Sequence, residues 1–99
     1  MPGLETLKKD VSFKLSLYGM SMAYVYLFAV AGDAKEAVRH LLNAEGQLDD
    51  ALDILNEATE KFYAAQGEAK AAKAIRRQRY LIAKFKKVTK ELMDEIGVK

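Results

Sequence analysis

The sequence predicts an all-α protein: one domain spanning residues 1–99, folded as an antiparallel up-down-up bundle of three long helices that assembles into a larger homo-oligomeric bundle. Proline occurs only at position 2, so no proline interrupts a helix interior. Apolar residues recur at three- and four-residue spacings over most of the chain, which is typical of amphipathic helices. Breaks at Gly32-Asp33 and at Gln66-Gly67-Glu68 divide the chain into predicted helices of about 4–31, 33–66 and 68–96.

The first predicted helix is apolar on every side and carries no charged residue from Leu15 to Gly32. Such a helix must be covered on every side, and the two other helices of a three-helix bundle cannot surround it. The uncovered face predicts a self-association interface, because an exposed apolar strip of this length exceeds the patches found on ordinary monomers. We expect a dimer or tetramer whose interface includes a stripe of small residues and its larger neighbours: Ser12, Ser16, Gly19, Met20, Met22, Ala23 and Leu27.

The same segment is nearly as long as a membrane span. It contains serine, glycine and three tyrosines, however, and no lysine or arginine follows it before Lys35. A secretory signal would need a shorter apolar region followed by a small-residue cleavage site. We therefore expect a cytoplasmic protein that does not insert into a membrane, with a membrane-associated helix and an N-terminal signal as the alternatives.

The second predicted helix carries an apolar seam at heptad spacing. Asp33 is placed to cap its N-terminus, with Glu36 reaching back in a capping box. Gly46 lies within the seam, and a break there would give four helices, but the seam crosses it in phase, which favours one continuous helix. Small and large residues alternate along the seam: Ala37, Leu41, Ala44, Leu48, Ala51, Leu55, Ala58, Phe62 and Ala65.

The net charge of +2 conceals a strong partition along the chain. Residues 33–66 hold three basic and eight acidic side chains, net −5, whereas residues 67–99 hold ten basic and four acidic ones, net +6. From Lys70 to Lys90 there are nine lysines or arginines and no acidic residue. The apolar face of the third helix, which we expect in the core, comprises Ile75, Leu81, Ile82, Phe85, Val88, Leu92 and Ile96.

The basic face of the third helix has three interpretations. It can match the acidic face of the second helix and set helix pairing and direction through rim ion pairs. It can bind nucleic acid, because a basic helical face follows phosphates and an exposed tyrosine stacks on a base. It can also meet an acidic protein or a membrane surface. The candidate nucleic-acid contacts are Lys70, Lys73, Arg76, Arg77, Tyr80, Lys84 and Lys87.

Residues that carry catalysis or bind metals are scarce. The chain has no cysteine, and its single histidine, His40, lies one helical turn after Glu36. No glycine-rich phosphate loop and no Gly-x-Ser-x-Gly nucleophile elbow occurs. We therefore expect a non-enzymatic protein without cofactor or metal, which acts as a self-associating protein–protein interaction module. The alternative function is nucleic-acid binding through residues 70–90.

Overall fold

A computed structural model describes residues 3–96 of the chain. Their backbone forms α-helices joined by short turns and contains no strand, which confirms the all-α prediction. The molecule is elongated, with dimensions of 52 × 21 × 16 Å. The helical segments are α1 (Leu4–Val30), α2 (Ala34–Ile54), α3 (Glu57–Ala65) and α4 (Ala69–Ile96).

The turn between α1 and α2 has the predicted arrangement, in which Gly32 follows the end of α1 and Asp33 caps α2. Gly32 adopts a φ of 80°, which glycine tolerates best, and the amide of Asp33 donates to the carbonyl of Phe28 over 2.9 Å. The Asp33 carboxylate caps α2 by accepting from the amide of Glu36 at 3.2 Å. The other contact of the predicted capping box, in which the Glu36 side chain reaches back to Asp33, is wrong. The Glu36 carboxylate turns forward and accepts from Arg39 Nη2 at 2.8 Å, because the Asp33 amide already has a backbone acceptor.

The region predicted as one helix, 33–66, forms two helical segments in the structure. Gly46 lies inside α2, and the interruption falls ten residues later, at Leu55 and Asn56. Asn56 starts α3 as its N-cap, since its side-chain oxygen accepts from the Thr59 amide at 2.9 Å and its side-chain nitrogen donates to the carbonyl of Asp53 at 2.7 Å. Both proposals for this region, an unbroken helix and a break at Gly46, are therefore wrong.

The interruption changes which residues face the core. The first six seam residues are buried as predicted, but Ala58, Phe62 and Ala65 are exposed. Thr59 and Tyr63 are buried instead, so the buried positions after Asn56 lie one residue later than the heptad predicts. The hydroxyl of Thr59 donates to the carbonyl of Ile54 at 3.1 Å, which satisfies an acceptor that the end of α2 leaves without an intrahelical partner.

The helices bury two core clusters against α2. Helix α1 packs along α2, and α4 packs against α2 and α3. One cluster joins the N-terminal half of α1 to α3 and the first half of α4, and the other joins the opposite ends of α1, α2 and α4. The first contains Leu7, Leu48, Ala51, Leu55, Tyr63, Ala72, Ile75 and Ile82, and the second contains Val25, Ala37, Leu41 and Met93.

The buried face of α4 is narrower than the predicted one. Ala72, Ile75, Ile82, Thr89 and Met93 are buried. Leu81, Phe85 and Val88, which we expected in the core, are exposed. The expectation fails because α4 packs chiefly against α2 and α3 and touches α1 little, which leaves Leu81, Phe85 and Val88 largely uncovered.

Candidate interaction surfaces

The first candidate surface is the outer, solvent-exposed side of α1. Six of the seven residues predicted for self-association, Ser12, Ser16, Gly19, Met20, Ala23 and Leu27, are exposed. Met22 lies on the other side of the helix, half-buried against the core cluster of Val25, Ala37, Leu41 and Met93.

The outer face also includes two aromatic residues that the predicted set omitted, Phe13 and Tyr24. They continue the row of Met20 and Leu27 at helical spacing, a regularity already visible in the sequence. We define the α1 outer face as the six exposed residues of the predicted set together with Phe13 and Tyr24. It consists of a row of small side chains beside a row of large apolar ones, and it carries no charge.

An aromatic cluster fixes the C-terminal half of α1 to α2. The His40 ring stacks on Phe28 with centroids 5.4 Å apart and an interplanar angle of 5°, and on Tyr24 at 4.9 Å and 23°. Beside it, the Arg39 guanidinium hydrogen-bonds Glu36 and lowers the pKa of that carboxyl group. His40 Nε2 lies 3.4 Å from Arg39 Nη2 and 3.9 Å from a carboxylate oxygen of Glu36, so the ring is packed between aromatic side chains and this ion pair.

Part of the basic face of α4 is matched to acidic residues of α2 and α3. Glu60 accepts from Arg76 Nη2 at 2.6 Å and from Arg79 Nη2 at 2.7 Å. The bond from Arg76 is the main cause of a lowered Glu60 pKa, and the same bond raises the pKa of Arg76. Lys86 pairs with Asp49 at 2.5 Å, and the hydrogen bond to Asp49 raises its pKa. These contacts are the charge-matched helix pairing considered from the sequence.

The remaining cations of α4 make no ion pair within the described residues 3–96. The ammonium group of Lys84 lies 4.7 Å from the ring centroid of Tyr80, and that ring is exposed. Arg76, one of the predicted nucleic-acid contacts, is engaged by Glu60 and belongs to the paired group. The other six predicted nucleic-acid contacts form what we call the free basic face: Lys70, Lys73, Arg77, Tyr80, Lys84 and Lys87.

A third surface is an apolar groove between the N-terminal halves of α1 and α4, with a volume of about 520 Å³. Its floor consists of buried core residues, Leu7, Leu55 and Ile75. Beyond the groove, α1 and α4 meet where the rings of Tyr18 and Phe85 lie 6.2 Å apart. Its walls and rim comprise Leu4, Lys8, Val11, Ser12 and Leu15 of α1, and Lys70, Ala71, Ala74 and Gln78 of α4. Sequence reasoning missed this groove, because it depends on the separation of two helices that are distant in the chain.

Clustered metal ligands are absent from the described part of the chain: within residues 3–96, no three histidine, aspartate or glutamate side chains lie together as metal ligands would.

Helix α1 is long and apolar enough to cross a membrane by length and composition. Of its most apolar segment, 6% is buried. Core helices of soluble proteins and N-terminal signals share that length and composition.

Comparisons with known proteins give no family assignment: no family model, curated protein or solved structure matches this chain. The interpretation of the three surfaces therefore depends on their own geometry and chemistry.

Proposed function

We propose that this protein is a small, non-enzymatic, cytoplasmic helical module that associates with itself through the α1 outer face. One observation carries the proposal: α1 contributes only Leu7 and Val25 as buried residues, although it has no charge from Leu15 to its end at Val30. Burying the apolar side chains that remain exposed on α1 is favourable in proportion to their area. A second copy of α1 offers a surface of the same composition, as a two-fold symmetric interface requires.

The two rows of the α1 outer face suit such an interface. Large side chains of one helix fit beside the small row of a partner helix, where short side chains let the backbones approach. Gly19 is at the centre of the small row, and a Cβ atom placed on it meets no heavy atom within 4 Å beyond the neighbouring backbone of its own helix. The open space at Gly19 therefore serves no packing need within one chain.

The proposed assembly is a larger bundle built from up-down-up protomers. The contacts between α1 and α2 support opposite directions, since Lys14 pairs with Asp50 while Tyr24 stacks on His40 further along α1. The α4 pairs with Glu60 and Asp49 follow the same reversed order relative to α2 and α3. Two copies joined through α1 would give a bundle with α1 helices at its centre.

A matched pair of substitutions tests the proposal. Leu27 on the α1 outer face is 58% exposed and Leu42 on α2 is 51% exposed, so lysine at either position leaves the monomer fold intact. Burying the exposed part of Leu27 stabilises a symmetric dimer by about 1 kcal/mol per copy, or about 2 kcal/mol in total. Its loss alone weakens dimerisation about 30-fold, and a buried lysine adds to that.

The measurement is the mass in solution across a protein dilution series, by light scattering and sedimentation. We expect wild type and Leu42→Lys to form the same oligomer, and Leu27→Lys to dissociate at concentrations at least 30-fold higher. Gly19→Leu should also dissociate while keeping its helical circular dichroism. A monomeric wild type, or equal behaviour of the two lysine variants, would contradict the proposal. Met22→Lys is unsuitable because Met22 packs against the core.

A second candidate function, nucleic-acid binding, is favoured by the free basic face. Its cations lie on one side of α4 around an exposed tyrosine, without acidic partners among the described residues. Under this hypothesis, random-sequence RNA or DNA binds with an affinity that falls steeply with salt. A triple variant, Lys73→Glu, Arg77→Glu and Lys87→Glu, would abolish that binding. These positions avoid Arg76 and Arg79, whose loss would release Glu60 and disturb the fold.

A further inference from the structure

We infer that the groove between α1 and α4 is a docking site for an amphipathic acidic helix of another protein. The groove is lined along α1 from Leu4 to Leu15, which is about three helical turns or 16 Å. A helix lying in such a groove inserts apolar side chains at positions i, i+3 or i+4, and i+7. The groove shares Ser12 with the α1 outer face, but Gly19 and Leu27, which test self-association, lie outside its lining, so the two proposals can be tested separately.

The shape of the groove favours a helix. Its floor is fixed, because Leu7, Leu55 and Ile75 are core residues with almost no exposed surface. Its α4 wall has short side chains at Ala71 and Ala74, between the longer Lys70 and Gln78. Leu4, Val11 and Leu15 form the α1 wall. The apolar side chains of a bound helix can therefore reach the floor of the groove between the large side chains of α1 and the alanines of α4.

The charge of the groove selects the partner. Among residues 3–96, the charged side chains that line it are Lys8 and Lys70, and no carboxylate does. Lys73 and Arg77 extend the positive rim along α4 without an ion pair among the described residues. Lys8 has one exposed contact, to Glu5 at 3.5 Å, which is too weak to neutralise it fully. Carboxylates flanking the apolar stripe of a bound helix would complement these cations.

The same charges argue against two other occupants. The α1 outer face of a second copy carries no carboxylate, so it would leave the rim of Lys8 and Lys70 unmatched. A nucleic acid would meet the cations but would gain little from an apolar floor and alanine walls, because phosphate contacts need donors and positive charge. An acidic amphipathic helix uses both the floor and the rim.

The test uses a labelled synthetic helix as the probe. It carries leucines at i, i+3, i+4 and i+7, with glutamate at its flanking positions, and a second peptide has lysine in place of every glutamate. Binding to the full chain is followed by fluorescence anisotropy at two salt concentrations. We expect the glutamate peptide to bind at least tenfold more tightly than the lysine peptide, and more weakly at high salt.

Two tryptophan variants of α4 place the binding in the groove. Ala74→Trp fills the groove, whereas Ala83→Trp adds the same side chain at an exposed position outside its lining. The glutamate peptide should bind Ala83→Trp as it binds wild type and should bind Ala74→Trp at least tenfold more weakly. Equal binding to both variants, equal binding of both peptides, or no binding overturns the inference.

Two further results would assign the groove to a different occupant and overturn the inference as well. If Ala74→Trp lowers the oligomeric mass and Ala83→Trp does not, the groove is filled by a second copy of the chain. If a random-sequence oligonucleotide binds and Ala74→Trp removes that binding, the groove is part of a nucleic-acid site. Self-association through α1 is read separately, from the Leu27→Lys variant, so either proposal can fail without the other.

Discussion

Replacing Asn56 with alanine tests whether the interruption between α2 and α3 is built into the fold. Asn56 makes two side-chain hydrogen bonds to the backbone, at 2.9 Å to the Thr59 amide and at 2.7 Å to the Asp53 carbonyl. Loss of an N-cap costs about 1 kcal/mol, and the second bond brings the expected loss to about 1.5 kcal/mol. If residues 33–66 were one helix, Asn56→Ala would instead stabilise the protein by about 0.5 kcal/mol, because alanine is the better helix former. The sign of the change therefore separates the two structures.

Asn43→Ala is the matched control, because Asn43 is an exposed residue inside α2 and the chain has no third asparagine. The assay is urea unfolding followed by circular dichroism, at one fixed protein concentration. For a typical small-domain slope of about 1.5 kcal/mol/M, the Asn56→Ala midpoint should fall by about 1 M, and the Asn43→Ala midpoint should rise slightly. If the Asn56→Ala midpoint rose or stayed unchanged, α2 and α3 would be one helix in solution and the cap argument would be refuted.

The remaining predictions concern glycine and pH. Gly46→Ala should stabilise the protein by about 1 kcal/mol, because Gly46 is inside α2 and an added Cβ atom would meet no heavy atom within 4 Å beyond the neighbouring backbone of its own helix. Gly32→Ala should destabilise it by about 1 kcal/mol, because its φ of 80° is strained for alanine; thermal unfolding of the pair must show opposite signs. The Glu60 pKa is lowered, chiefly by Arg76, so its contribution to stability is present above the ordinary value of 4.5 and is lost as the pH falls through the folded-state value. Wild type should therefore lose more stability than Glu60→Gln on acidification, and parallel losses would show that the ion pair contributes nothing.

The apolar seam of the second predicted helix shows which buried residues a sequence pattern can predict. The six seam residues from Ala37 to Leu55 are buried as their heptad spacing predicts, because that spacing places them on one side of a continuous helix. Beyond Leu55 the pattern continues through Ala58 and Phe62, but the structure buries Thr59 and Tyr63. The asparagine cap that shifts the phase is a local competition between side-chain and backbone hydrogen bonds, which periodicity does not register.

The candidate surfaces divide in the same way. The exposed side of α1 was predictable, because a helix that is apolar on every side exceeds what two neighbours can cover. The division of the α4 cations into paired and unpaired groups was not predictable from the sequence. Arg76, Arg79 and Lys86 are paired because Glu60 and Asp49 lie beside them in the fold, whereas Arg77 and Lys84 have no such neighbour among the described residues.

By itself, the sequence determined the helical class, the glycine turns at Gly32 and Gly67, the core row of α2 and the excess apolar surface of α1. These properties depend on neighbours within a few turns of one helix, where spacing fixes direction. Only the tertiary structure decided the groove between α1 and α4, the exposure of Phe85 and Val88, and the pairing of the α4 cations. Those depend on the distance and rotation between helices, which side-chain packing across the whole core sets.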